Sequence, residues 1–190
     1  MKRVFALLIV VCASLAMAQT PLAKGGTWEF GPWVGGGVGL GSRSDFHFFN
    51  TGFRFGTILT DQIGTSRARG NLEWAADIIP LYFVYQPERV YAFSINPVVV
   101  KYNFTGGKKL VPFIAAEGGL LFATKDVPPG PTSWVNFTPG GAFGVYVMQG
   151  EKHAIEFSGH VTHISSAGLS SFNPGVNASL QFRLGYFWFK

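Results

Sequence analysis

His163 and Ser165 are the residues of this chain whose types and spacing most directly offer chemistry. They stand two apart in a segment, 152–166, that alternates apolar and polar residues as a strand does. Side chains two apart on a strand project to the same face. An imidazole on that face can reach a neighbouring hydroxyl and deprotonate it as its oxygen attacks an ester carbonyl. A bare His-x-Ser is a short pattern, so its meaning depends on the element that carries it and on what that face meets.

The carrying elements read as strands of a membrane barrel. Met1-Lys2-Arg3 is a basic start, Val4 to Leu15 is an apolar run, and Ala16-Met17-Ala18 is a small-x-small site. That order is a secretory signal peptide, residues 1–18, with cleavage before Gln19. The run is short for a membrane span of about 20 residues. Cys12, the chain's only cysteine, lies within the signal, so residues 19–190 carry no thiol or disulfide. Loss of Lys2 and Arg3 lowers the formal charge from +5 to +3. The chain is 47% hydrophobic and 13% charged. Soluble domains average about 25% charged residues, so much apolar surface here is expected to avoid water.

Eight candidate strands follow: 27–40, 46–60, 71–85, 89–104, 109–125, 133–148, 152–166 and 176–189. Between them lie turn-rich stretches such as Gly41 to Asp45, Gly106-Gly107-Lys108, Val127 to Pro131 and Asn173-Pro174-Gly175. No later segment has the length and continuity of a membrane helix, and only a closed barrel otherwise satisfies the backbone in lipid. The faces are legible in most strands. Phe49, Phe53, Phe55 and Leu59 oppose Asn50 and Arg54, while Leu72, Trp74, Ile78 and Tyr82 oppose Glu73 and Asp77. Leu110, Ile114, Leu120 and Phe122 oppose Glu117, and Ile155, Phe157 and Val161 oppose Glu156, Ser158 and His160. Leu180, Phe182, Leu184, Tyr186 and Trp188 oppose Gln181 and Arg183. The registers of 89–104 and 133–148 are less clean.

The same alternation fits a soluble, lipocalin-like barrel with its apolar face inward. The polar face decides against that. Its charges are of mixed sign and can pair, and Gly35, Gly37, Gly39, Ala75 and Gly185 join them. Such a set can fill an eight-stranded barrel, whose interior has room only for side chains. The large aromatics then meet lipid, with Trp28, Tyr82, Tyr146, Tyr186 and Trp188 near strand ends as interfacial girdles. The fold class expected is therefore all-β, an eight-stranded antiparallel transmembrane β-barrel over 19–190, in the bacterial outer membrane. On this reading His163 and Ser165 end a lipid-facing column, where hydrocarbon gives way to headgroups.

The segment His163-Ile164-Ser165-Ser166-Ala167-Gly168-Leu169, followed by Asn173-Pro174-Gly175, resembles the signature of the lipid A 3-O-deacylase family. Trp28-Glu29-Phe30-Gly31-Pro32, and Gly52-Phe53-Arg54 before Leu59-Thr60-Asp61, resemble that group too. The resemblance implies an eight-stranded outer-membrane esterase that removes an ester-linked acyl chain from lipopolysaccharide. It implies Ser165 as nucleophile and His163 as general base. Ser166 stands where the family has an asparagine that helps hold the oxyanion, and the Gly168 amide could join it. Asn177 falls at the family's acid, where it could orient His163 by hydrogen bonding but carries no charge. An amide in place of that acid can cost on the order of 10⁴ in rate. The implied partner is lipid A or another membrane lipid.

Other signals are weaker. Gly35 to Gly41 is glycine-rich like a phosphate-binding loop, but no helix pattern follows it. His47, His153, His160 and His163 lack metal-site spacing, so neither metal nor cofactor is expected. No basic run with interleaved aromatics points to nucleic acid. The competing class is a non-catalytic outer-membrane barrel with a structural or surface-interaction role, favoured by Asn177 and Ser166. N-terminal sequencing of the protein from outer membranes is expected to begin at Gln19; an N-terminus at Met1 would show that the signal is retained.

Overall fold

The computed structural model describes residues 22, 24–41, 46–107, 109–129, 132–168 and 178–190. The signal peptide, Asn177 and Asn173-Pro174-Gly175 lie outside them. The strands are β1 Trp28–Gly39, β2 His47–Ile58, β3 Asn71–Tyr85, β4 Arg89–Asn103 and β5 Leu110–Ala123. They continue as β6 Val135–Phe137, β7 Gly140–Met148, β8 His153–His163 and β9 Ala178–Phe189. A single 3-10 turn, Ser66–Ala68, interrupts the β2–β3 connection.

Every neighbouring pair is antiparallel, and the pairings β4–β5 and β1–β9 close the sheet on itself. β6 and β7 both pair with β5, so together they form one barrel strand broken at Thr138-Pro139. Proline has no N–H to give the ladder, whereas the Thr138 amide still donates to the Gly119 carbonyl at 2.9 Å. The result is a closed eight-stranded barrel with the start of β1 and the end of β9 on one rim, the chain-end rim.

Alternation places the side chains as the inside-out reading requires. Phe53, Ile78, Ile114, Phe157 and Leu184 are exposed, whereas Arg54, Asp77, Glu117, Glu156 and Arg183 are buried. An exposed apolar belt of this extent is foreign to soluble monomers. Two expected girdle residues are corrected. A register irregularity between Ile79 and Tyr82 shifts the pleat, so Tyr82 turns inward and is 8% exposed. Tyr146 is fully buried. Trp28 and Tyr186 do face outward.

Charge pairing organises the lumen. Arg54 makes a bidentate contact with Asp77 (Nε to Oδ1 2.8 Å, Nη2 to Oδ2 3.0 Å) and reaches Glu156 at 3.0 Å. Arg183 contacts Asp77 at 3.2 Å and Glu117 at 3.8 Å, with its guanidinium 4.1 Å from the Trp33 ring. Nearer the chain ends, Lys101 sits between Glu29 at 2.7 Å and Glu73 at 2.6 Å. The Tyr146 hydroxyl donates to Glu29 at 2.6 Å. Glu29, Lys101 and Tyr146 extend the polar face beyond the residues the sequence pattern assigned to it.

Apolar side chains close the network toward both rims: Phe187, Phe189, Ile58 and Leu22 at the chain-end rim, and Phe46, Phe48, Val84 and Val127 at the other. Small residues make the room. A Cβ on Gly35 would strike the Gln181 and Asn50 side chains, and one on Gly37 would strike the Phe48 ring. The glycine-rich stretch of β1 is thus a packing feature of a narrow barrel.

Removing Arg54 leaves Asp77 and Glu156 short of their shared cation. Arg54→Met is expected to cost about 3–5 kcal/mol, the penalty of stranding buried charge. Urea unfolding in phosphatidylcholine vesicles would measure it. The exposed Arg67→Gln is expected to stay within about 0.5 kcal/mol of the parent.

Candidate active site

β8 runs from the chain-end rim to the opposite one, and its outer column reads Phe157, Gly159, Val161, His163. Beyond His163 the strand geometry continues for two residues. The Phe137 amide donates to the Ser165 carbonyl at 2.7 Å, and the Ser165 amide donates to that of Phe137 at 3.0 Å. The His163 amide donates to the Pro139 carbonyl at 2.8 Å. The broken strand β6–β7 therefore holds the end of β8, and β6 extends the pairing beyond Pro139.

This pairing preserves alternation. Ile164 and Ser166 turn inward at 3% and 5% exposure, while His163 and Ser165 are half-buried on the outer side. Their column also carries exposed Phe157 and Val161, so the pair stands at the end of a lipid-facing row. The Ser165 hydroxyl oxygen accepts the Ala167 amide at 3.2 Å, a local turn that fixes the oxygen and leaves its proton to give. Among the described residues no hydrogen bond joins the His163 imidazole to this hydroxyl; such bonds often tighten only when substrate binds.

The chain then turns sharply. Ala167 has φ +49° and Gly168 φ +87°, two successive left-handed residues. Glycine adopts that conformation freely, but for alanine it costs about 1–2 kcal/mol. A strained residue two positions after a candidate nucleophile is the kind of feature functional sites retain.

The five residues singled out from sequence thus separate. His163, Ser165 and Gly168 gather at one rim, the Ser166 side chain is turned toward the lumen, and Asn177 lies outside the described residues. With its hydroxyl on the inner side, Ser166 does not present that group to the outer face that carries Ser165, which corrects the sequence expectation of a side-chain oxyanion donor.

A second serine–histidine pair lies inside the barrel, with more complete geometry. Ser158 Oγ is 2.9 Å from His160 Nε2, and His160 Nδ1 is 3.1 Å from Glu117 Oε1. Sequence reasoning assigned His160 to the packed interior, and its surroundings explain this arrangement structurally. Ser158 also bonds to Glu156 at 2.7 Å, Glu117 pairs with Arg183, and all three members of the chain are buried. No substrate carbonyl reaches Ser158 without dismantling the ion network.

A closed eight-stranded barrel with an apolar belt and a paired, charged lumen defines a bacterial outer-membrane β-barrel. The chain belongs to the lipid A 3-O-deacylase (PagL) family, whose sequence profile matches residues 27–187. Among solved structures it is similar to the outer membrane enzyme PagL, with 19% identity, TM-score 0.52, and coverage of 82% of this chain and 97% of that one. It is also similar to Neisserial surface protein A (NspA), with 16% identity, TM-score 0.61, and coverage of 85% and 96%. The outer membrane protein OprG from Pseudomonas aeruginosa matches with 11% identity, TM-score 0.55, and coverage of 90% and 99%. At these identities the structural likenesses speak for the fold. No curated protein sequence matches the chain.

The two serines make opposite expectations. A fluorophosphonate probe added to the protein in vesicles is expected to label Ser165, with labelling lost in Ser165→Ala and kept in Ser158→Ala. Labelling that follows Ser158 instead would move the reactive centre into the lumen.

Proposed function

We propose that this protein is a serine esterase that removes an ester-linked acyl chain from lipid A. The observation that carries the proposal is the placement of His163 and Ser165. In a chain of this family they share the outer column of β8 at the rim opposite the chain ends, where a lipid ester can meet them.

His163 takes the Ser165 proton as Oγ forms a bond to the acyl carbonyl carbon. The tetrahedral oxyanion is met by the backbone N–H groups of Ser166 and Gly168. The ester C–O bond breaks, and His163 returns its proton to the departing sugar hydroxyl. Water, deprotonated by the same imidazole, then frees the fatty acid. Asn177 is assigned to orient His163 by accepting a hydrogen bond from its second ring nitrogen. An amide in that role leaves the developing imidazolium without a neighbouring negative charge.

A second reading is a family member that keeps the barrel and has lost turnover. Two observations favour it: an amide at the family's acid position, and the unmade hydrogen bond between His163 and Ser165.

Mass spectrometry of lipid A from cells expressing the protein separates the two. Loss of one acyl chain is expected with the parent and with Ser158→Ala. It is expected to fall to background with Ser165→Ala or His163→Ala. Asn177→Asp is expected to raise the rate toward the roughly 10⁴-fold difference between acid and amide. Unchanged lipid A in every case, with the barrel present in the outer membrane, would support the non-catalytic reading.

A further inference from the structure

At the chain-end rim, the outer faces of β3, β4 and β5 form a groove of about 290 Å³ lined by Leu72, Val100, Tyr102, Ile114 and Ala116. The register explains its shape. Leu72, Tyr102 and Ile114 stand in one cross-strand row, and Trp74, Val100 and Ala116 in the next. Ala116, the small end member of the second row, leaves the depression beside Val100 and Ile114. Its volume lies just under the range of drug-sized pockets, about 300–1,000 Å³, and suits a single acyl chain.

A connection that carries two cations is tied to this groove. The Tyr102 hydroxyl donates to the Ala68 carbonyl at 2.6 Å, which fixes the β2–β3 connection against the groove's upper wall. Ala68 lies between Arg67 and Arg69, both exposed and, among the described residues, in no ion pair. The Arg69 carbonyl accepts the Thr105 amide at 2.9 Å, so the connection is also tied to the β4–β5 turn, which leads to Lys109. The backbone that carries the two arginines is thus held beside the groove.

The charge is one-sided across the molecule. Among the described residues outside the lumen, the chain-end rim carries six basic side chains against the two acidic ones, Asp61 and Glu151. At the opposite rim Arg89 and Lys125 are matched by Glu88 and Asp126.

We propose that the β3–β5 face at the chain-end rim seats one anionic phospholipid, with an acyl chain along Leu72, Val100, Ile114 and Ala116 and its phosphate at Arg67 and Arg69. The groove supplies the apolar contact, Tyr102 the boundary between apolar chain and polar head, and the arginines the selection for negative charge. The seat lies at the opposite rim from Ser165, so it is independent of the esterase reading.

The test reconstitutes the full-length mature protein in vesicles of equal phosphatidylglycerol and phosphatidylcholine, releases it into mild detergent, and counts retained lipids by native mass spectrometry. The parent is expected to keep one phosphatidylglycerol. Arg67→Gln/Arg69→Gln is expected to lose the preference by on the order of ten-fold, since each basic residue near an anionic surface contributes a several-fold factor. Ala116→Leu fills the groove and is expected to abolish retention of either lipid. The arginine pair lies on an exposed connection, so the test stands even where Ala116→Leu fails to fold. Equal retention of the two lipids by the parent would overturn the proposal. So would a preference that survives in the double variant, or displacement of the lipid by millimolar glycerol 3-phosphate, which would make this a site for free phosphate.

Discussion

Arg54 holds the barrel's interior together. It projects from β2, grips Asp77 of β3 on the adjacent strand, and crosses the lumen to Glu156 of β8. Arg183 of β9 shares Asp77 and extends the chain of contacts to Glu117 of β5. Five buried carboxylates and three buried cations converge in a space with apolar closures at both rims. A charge so placed is stable only with its partners present, so the set specifies which strands face one another across the barrel. The outer face is indifferent to such detail. Lipid asks only that it be apolar, and Phe49, Ile78, Phe143 and Leu184 meet that demand in many possible registers.

Much of this division was legible because a strand's period is two and the charges on its inner face are sparse and distinct. In β2, β5, β8 and β9 one or two charged or amide residues fix the parity, and large apolar residues follow on the other side. The pattern failed where backbone irregularity resets parity. Pro80 lies within the register shift of β3, and everything beyond it, Tyr82 included, changes face. In β4 a shift between Ile95 and Val98, around Pro97, hides the inward direction of Lys101. Glu29 and Lys101 also lie close to strand ends, where charges ordinarily face solvent. Tyr146 resembles an interfacial tyrosine until Glu29 and Lys101 are known to point at it. The apolar closures were hidden for a related reason: Phe187 and Phe189 interrupt an inner face that the pattern fills with polar and small residues.

The candidate site shows the same mixture. That His163 and Ser165 share a face follows from spacing, and that the face is the lipid side follows from Phe157 and Val161 in the same column. Alternation also turns the Ser166 hydroxyl away from Ser165, a consequence visible in the sequence once β8 is extended to its pairing with Phe137. The left-handed turn at Ala167-Gly168 was only half legible. Glycine announces such a conformation; alanine does not, and Ala167 follows a bridge to β6, a segment of three residues cut off by Pro139.

The chain holds two serine–histidine pairs on one strand, and their contrast shows why geometry alone does not make a catalytic site. Ser158, His160 and Glu117 have short contacts and an acid in line, yet their hydrogen bonds serve a sealed interior. The acid is already neutralised by Arg183, and the hydroxyl is shared with Glu156. Ser165 and His163 have looser contacts and an amide at the expected acid position, yet they stand where an ester in the membrane can arrive. Preorganisation lowers a barrier only for a substrate that reaches it. In a barrel whose stability resides in the lumen, chemistry on the outer column is also the less costly arrangement. Outer residues can be replaced without stranding a buried charge, so the rim can vary while Arg54, Asp77 and Glu156 stay fixed. The same separation lets the opposite rim carry a basic, groove-bearing surface of its own.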